Sequence, residues 1–168
     1  QIKKWLEQSV QPVRIFINLS GQSLSDETFI DTFISTLEQA NVPYDKLGIE
    51  ITEYALISES NTLIKQIKNL QDKGVIIALD DFGTGYSSLS YLTKFPLNVI
   101  KIDKYFMANA PDNSQAAAIT KAIFALSYSL GMKVICEGVE NKKQHDFISQ
   151  QTNEELMQGY LFSRPIDA

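Results

Sequence analysis

Short apolar runs alternate along the chain with longer stretches whose apolar residues recur every three or four positions. The runs read as strands: "VRIFINL" (13–19), "LGIEIT" (47–52), "VIIALD" (75–80), "NVIKID" (98–103), "KVICEG" (133–138) and "ELMQGY" (155–160). "VIIALD" is apolar without alternation, as a parallel strand covered on both faces should be. The stretches between them predict helices. In residues 26–40, Phe29, Ile30, Phe33, Ile34 and Leu37 share one helical face, with Ser25 or Asp26 as the cap. Residues 61–74 give a helix ending at Gly74, and 87–95 a short one stopped by Pro96. Residues 113–131 give the longest helix and 142–151 the last. The aromatic residues of 26–40 and 113–131 are assigned to the core. Strand–helix alternation of this kind predicts a parallel α/β fold, either a barrel or a doubly wound sheet. Six strands are two short of a (β/α)8 barrel; a barrel reading therefore places two strands before Gln1.

Composition narrows the function classes. The 168 residues suit one domain, and the net charge of −5 argues against nucleic-acid polymers or anionic membranes as partners. A small anionic ligand held by a metal stays compatible with that charge. A single cysteine, Cys136, allows no intrachain disulfide and is read as a small buried hydrophobe in a reducing compartment. No apolar run approaches the ~18 residues of a membrane span. The chain starts "QIKKWLEQ", without a methionine, and is expected to be a piece of something longer.

Chemistry gathers at the strand ends. In order, the six runs carry Asn18, Glu50, Asp80 with Asp81, Lys101, Glu137 and Gln158. Parallel α/β folds build their sites at the C-terminal ends of strands. Adjacent acids at the end of an apolar strand repel each other, and divalent cations would offset that cost. Asn18, Glu50, Asp80, Asp81 and Glu137 supply the oxygen donors that hard cations prefer. Two ions sharing Asp80 would suit phosphodiester hydrolysis, with Lys101 positioning water or neutralising phosphate charge. Its removal is expected to cut turnover and barely touch folding. Each of these groups taken singly reads as a structural ion pair, but the coincidence across six strands does not. "GTG" alone reads as a tight turn, His145 as a surface residue, Asp103 as a helix cap and Lys104 as a solvated charge.

The stretches "FINLS", "EITE", "ALDDFGTGYSSLSYL", "IKIDK", "EGVE" and "QGYLFSRP" together resemble the EAL-domain family, across residues 13–166. The resemblance implies an incomplete TIM-like (β/α)8 barrel of about six parallel strands, with residues 1–168 a partial EAL domain. It implies a bacterial, cytoplasmic cyclic di-GMP phosphodiesterase that uses two Mg²⁺ or Mn²⁺ ions and yields pGpG. In that reading Asn18, Glu50, Asp80, Asp81 and Glu137 hold metal, and Lys101, Glu137, Asp80 and Asp81 are catalytic. Gln158, Arg164 and Pro165 contact substrate, Glu140 is a supporting acid, and Glu53 anchors the loop carrying Gly83, Thr84 and Gly85. The Glu-Ala-Leu motif itself does not occur in the 168 residues. Its metal-binding glutamate would lie upstream, so the isolated fragment is expected to be inactive. Lack of the two strands expected before Gln1 would leave unpaired sheet edges, so it is also expected to self-associate, as a homodimer or by exchange of an element. A sensory or GGDEF-type domain, or a membrane tether, would belong to the parent protein. The alternative is a receptor that binds cyclic di-GMP without cleaving it. A pure scaffold has no use for such an oxygen-rich site.

Overall fold

The computed structural model describes residues 1–8, 13–57, 60–85, 90–151 and 156–166. The chain divides into two compact units, residues 1–78 with 88–97, and residues 79–87 with 98–168. In the first unit, α1 (Ile2–Glu7) precedes β1 (Ile15–Asn18), α2 (Gly21–Ser25), α3 (Glu27–Gln39), β2 (Leu47–Thr52), α4 (Glu53–Leu56) and α5 (Asn61–Asp72). The start of β3 (Ile76–Phe82) and α6 (Ser90–Lys94) complete it. Strands β1 and β2 pair in parallel, from Ile15 opposite Leu47 to Asn18 opposite Glu50. Asp26, one of the two candidate caps, starts α3: its Oδ1 accepts from the backbone N–H groups of Thr28 and Phe29. Ser60 caps α5 through Leu63 N–H. Leu24, Ile30, Ile49, Ile51, Leu63 and Ile67 are fully buried. Helices α1, α2 and α4 went unpredicted because six, five and four residues are too few for a periodic pattern.

The second unit takes the rest of β3, then β4 (Val99–Ile102), α7 (Lys104–Asn109), α8 (Ser114–Ser129), β5 (Lys133–Cys136), α9 (Lys142–Ser149) and β6 (Leu156–Met157). Strand β5 pairs in parallel with both β4 and β6. Hydrogen-bonded order in the sheet follows chain order from β1 to β6. Asp103 does cap α7, accepting from Tyr105 N–H, and Lys104 is exposed. Cys136 is buried as expected, and His145 is half-exposed beside Asp146 and Phe162. One core assignment fails: Phe124 is buried, but Tyr128 is 63% exposed. The buried stripe of α8 runs through Ala116, Thr120, Ile123 and Ser127, and Tyr128 lies off it in the last turn. Strand β6 is shorter than the apolar run around it, whose Glu155 is outside the described residues. Among the described residues no helix is long and apolar enough to cross a membrane.

Candidate active site

The site in the second unit is built where β3 ends. A regular strand sends neighbouring side chains to opposite faces, so Asp80 and Asp81 should diverge. They do not, because Asp81 takes a left-handed backbone, φ +54°. Aspartate tolerates that region better than most residues. Thr84 then closes the turn, its N–H and its hydroxyl both donating to Asp81 C=O, at 3.2 and 2.8 Å. One oxygen from each of Asp80, Asp81 and Glu137 lies within 4.8 Å of the others.

Lys101 sits among these acids. All four residues of β4 are buried, and the Lys101 side chain keeps only 5% exposure. Its Nζ donates to Asp80 Oδ1 at 3.0 Å and pairs with Glu137 Oε1 at 2.7 Å. An ammonium so deeply enclosed by two carboxylates has a structural role. That agrees with the ion-pair reading of Lys101 taken singly, and it departs from the expectation that its removal would barely touch folding. Burial pushes the Asp81 carboxyl pKa up, and the Asp80 and Asp103 carboxylates add to the rise. Lys101 and Lys104 pull it the other way.

Glu137 follows the last residue of β5, and its N–H donates to Ile102 C=O. The next residue, Gly138, has φ +66°, and a Cβ there would overlap the Lys104 side chain. No other residue type fits without displacing α7. The "EGVE" and "QGYL" segments then clasp each other. Val139 N–H donates to Gln158 C=O, Leu161 N–H to Val139 C=O and Gln158 N–H to Cys136 C=O. Gly159 lies so close to the Val139 backbone that a Cβ would collide with it. Between these segments and α7 lies a pocket of about 320 Å³, lined by Lys104, Glu137, Gly138, Glu140, Gln158, Gly159 and Tyr160. Arg164 stacks its guanidinium over the Tyr160 ring at 5.3 Å, and Pro165 beside it is exposed.

In the first unit, Asn18 and Glu50 face each other as register partners at the ends of β1 and β2. Glu53 opens α4 at 3% exposure. Burial, then the Glu53 carboxylate, push the Tyr91 hydroxyl pKa well up. Gly83 occupies the turn after β3, with Gly85 exposed beyond it. The rest of that loop, residues 86–89, lies outside the described residues. Of the residues expected to converge, the structure sets Asn18 beside Glu50 in the first unit, and Asp80, Asp81, Lys101 and Glu137 in one cluster in the second. Gln158 and Glu140 line a pocket with Glu137. Lys104 and Tyr160, which share that pocket, lie within the quoted motifs "IKIDK" and "QGYLFSRP", but Lys104 was read as a solvated charge and Tyr160 was given no role. Gln144 was also missed, although Asn141 and Gln144 stand at capping-box spacing.

The profile of the EAL domain matches residues 1–165. The chain belongs to the EAL domain family. It is 34% identical over 168 residues to the cyclic di-GMP phosphodiesterase PdeR of Escherichia coli strain K12, which covers all of this chain and 25% of that protein. The PaMucR phosphodiesterase, solved as a c-di-GMP complex, superposes with a TM-score of 0.88 at 33% identity, over 99% of this chain and 67% of that one. Klebsiella pneumoniae BlrP1, solved with manganese and cy-diGMP, gives 0.85 at 31% identity, over 98% and 42%. The fold class expected from the sequence holds: this EAL domain chain has six parallel strands with alternating helices, an incomplete TIM-like barrel. The Asp80–Asp81–Glu137 cluster offers only carboxylate oxygens, a donor set that suits hard divalent cations.

Proposed function

We propose that this EAL domain serves a cyclic di-GMP phosphodiesterase that opens one phosphodiester bond to give pGpG. The carrying observation is the three-carboxylate cluster with the Lys101 ammonium inside it, 3.0 Å from Asp80 and 2.7 Å from Glu137. Relatives named as cyclic di-GMP phosphodiesterases, and neighbours solved with c-di-GMP, support the choice of substrate. Asp80, Asp81 and Glu137, joined by Asn18 and Glu50, would hold two Mg²⁺ or Mn²⁺ ions. Those ions, when bound, would supply an activated water and stabilise charge on the phosphate. Lys101 keeps a fixed positive charge facing the place where negative charge grows on the phosphoryl oxygens. Its two ion pairs keep the ammonium from swinging away. Gln158, Arg164 and Pro165 hold the nucleotide along the pocket that Glu137 and Glu140 share. Glu53, buried beneath Tyr91, anchors the loop of Gly83, Thr84 and Gly85.

Residues 1–168 form, in this proposal, part of an EAL domain in a bacterial cytoplasmic protein. The Glu-Ala-Leu glutamate would come from elsewhere in that protein, where a sensory or GGDEF-type domain would also belong, and the 168 residues by themselves pair with a second copy. The isolated 168 residues are inactive. The test is cyclic di-GMP hydrolysis by the full-length protein with Mg²⁺ or Mn²⁺, with pGpG resolved by chromatography. Turnover that disappears in Glu137→Gln is the expected result. Tight binding of cyclic di-GMP with no pGpG formed would replace the enzyme reading by the receptor one.

A further inference from the structure

We propose that Gln144, outside every stretch that carries the family resemblance, is the positioning residue that sets Glu137 at the metal site. This rests on the phosphodiesterase reading. Gln144 is buried, at 6% exposure, in the first turn of α9. Its amide is used at both ends. Oε1 accepts from the backbone N–H groups of Glu140, at 2.7 Å, and Asn141, at 3.2 Å. Nε2 donates to Met107 C=O in α7, at 2.8 Å. Asn141 answers by accepting from Gln144 N–H at 3.0 Å. The side chain therefore ties the end of the "EGVE" segment to the helix that follows the Lys101 strand.

That tie completes the fixing of a short segment. Glu137 N–H is held by Ile102 C=O and Val139 N–H by Gln158 C=O. Gly138 leaves the chain pressed on Lys104 but, having no side chain, adds no anchor of its own. Without the Gln144 amide, the N–H groups of Glu140 and Asn141 lose their acceptor, and the end of the segment keeps only the capping contacts of Asn141 with α9. Of the common side chains, only a primary amide of this length both accepts from two N–H groups and donates to a carbonyl; a carboxylate of the same length accepts only. Residues that orient metal ligands from outside typically alter metal affinity by 10–100-fold when removed. The geometry assigns Gln144 that task for Glu137.

The test uses the full-length protein and two readouts besides turnover: Mn²⁺ affinity by titration, and hydrogen exchange of the 140 and 141 amides. Gln144→Met keeps the volume and drops all three side-chain hydrogen bonds. Both amides should lose protection, Mn²⁺ should bind about tenfold more weakly, and kcat should fall while KM changes little. Should Gln144→Met fail to fold, Gln144→Asn, one methylene too short to bridge, carries the same expectations. Glu137→Gln is the control. If it binds Mn²⁺ like the unaltered protein, the metal-site reading itself falls. If Glu137→Gln loses Mn²⁺ while the Gln144 variant binds it normally, with the two amides unprotected, the metal site stands and the role of Gln144 is overturned.

Discussion

Lys101→Met removes an ammonium from among three carboxylates and leaves an apolar chain of similar bulk. Asp80 and Glu137 lose a cation at 3.0 and 2.7 Å. At an effective dielectric of about 20, each contact carries a gross attraction of about 5–6 kcal/mol. Most of that is offset by the cost of desolvating the ammonium, which the unaltered protein has already met. Breaking a buried pair by deleting one partner nets about 3–5 kcal/mol. Asp80 and Glu137 retain 14% and 20% exposure, so water screens part of their repulsion. The expected loss is therefore near the low end, about 3 kcal/mol. Urea unfolding of the full-length protein without divalent ions should show it as a lower midpoint at unchanged slope. Adding Mn²⁺ should shrink the deficit, because a bound cation restores positive charge at the same acids. Turnover should stay lower by about 10²–10³-fold even with saturating Mn²⁺, since the metal does not replace a fixed group facing the phosphoryl oxygens. A variant as stable as the unaltered protein without metal, or a deficit that Mn²⁺ leaves unchanged, would refute the account of this cluster.

Asp81→Asn should act in the opposite direction when divalent ions are chelated. The folded-state pKa of Asp81 is raised by burial and by Asp80, so folding is penalised as pH climbs from the unfolded value of about 3.9 through the folded one. The variant should be the more stable protein at neutral pH, with its advantage fading below about pH 4, as followed by thermal unfolding across that range. Gly159→Ala drives a methyl into the Val139 backbone and should cost about 1–3 kcal/mol in chemical denaturation, or more if neither segment yields. Asp26→Ala removes the acceptor for two N–H groups at the start of α3; about 1 kcal/mol of stability should go, with turnover per folded molecule unchanged.

The repeating pattern was easy to read because it is a property of whole elements. Strand β3 is apolar at Ile76, Ile77, Ala78 and Leu79 since it is covered on both faces, and Ile77, Ala78 and Leu79 are fully buried. The acids were legible for the converse reason: a charged residue that interrupts such a run has few structural explanations. Local backbone events were not legible. Nothing in "LDDFG" announces that Asp81 turns left-handed, yet this brings its carboxylate to the same side as that of Asp80. The double pairing of Lys101 joins β3, β4 and the end of β5, which are 21 and 36 positions away in sequence; no local window contains it. Gln144 shows the same limit. Its capping-box spacing announces the helix start, but its bond to Met107, 37 residues earlier, exists only in the folded chain.

Charge at the cluster bears on how many ions it can hold. Three carboxylates against one ammonium leave two negative charges among Asp80, Asp81, Glu137 and Lys101. One divalent cation would neutralise that remainder. A second would leave the site positive, and further anionic groups would then be required. The substrate phosphate would bring one such charge. On this count the proposed second ion is the one that depends on substrate and on acids outside the cluster. Titration of the full-length protein with Mn²⁺ should then show one tight site without nucleotide, and a second that tightens when a non-hydrolysable phosphodiester is added. Two equally tight sites in the absence of nucleotide would mean that more negative charge converges on the cluster than these four residues provide.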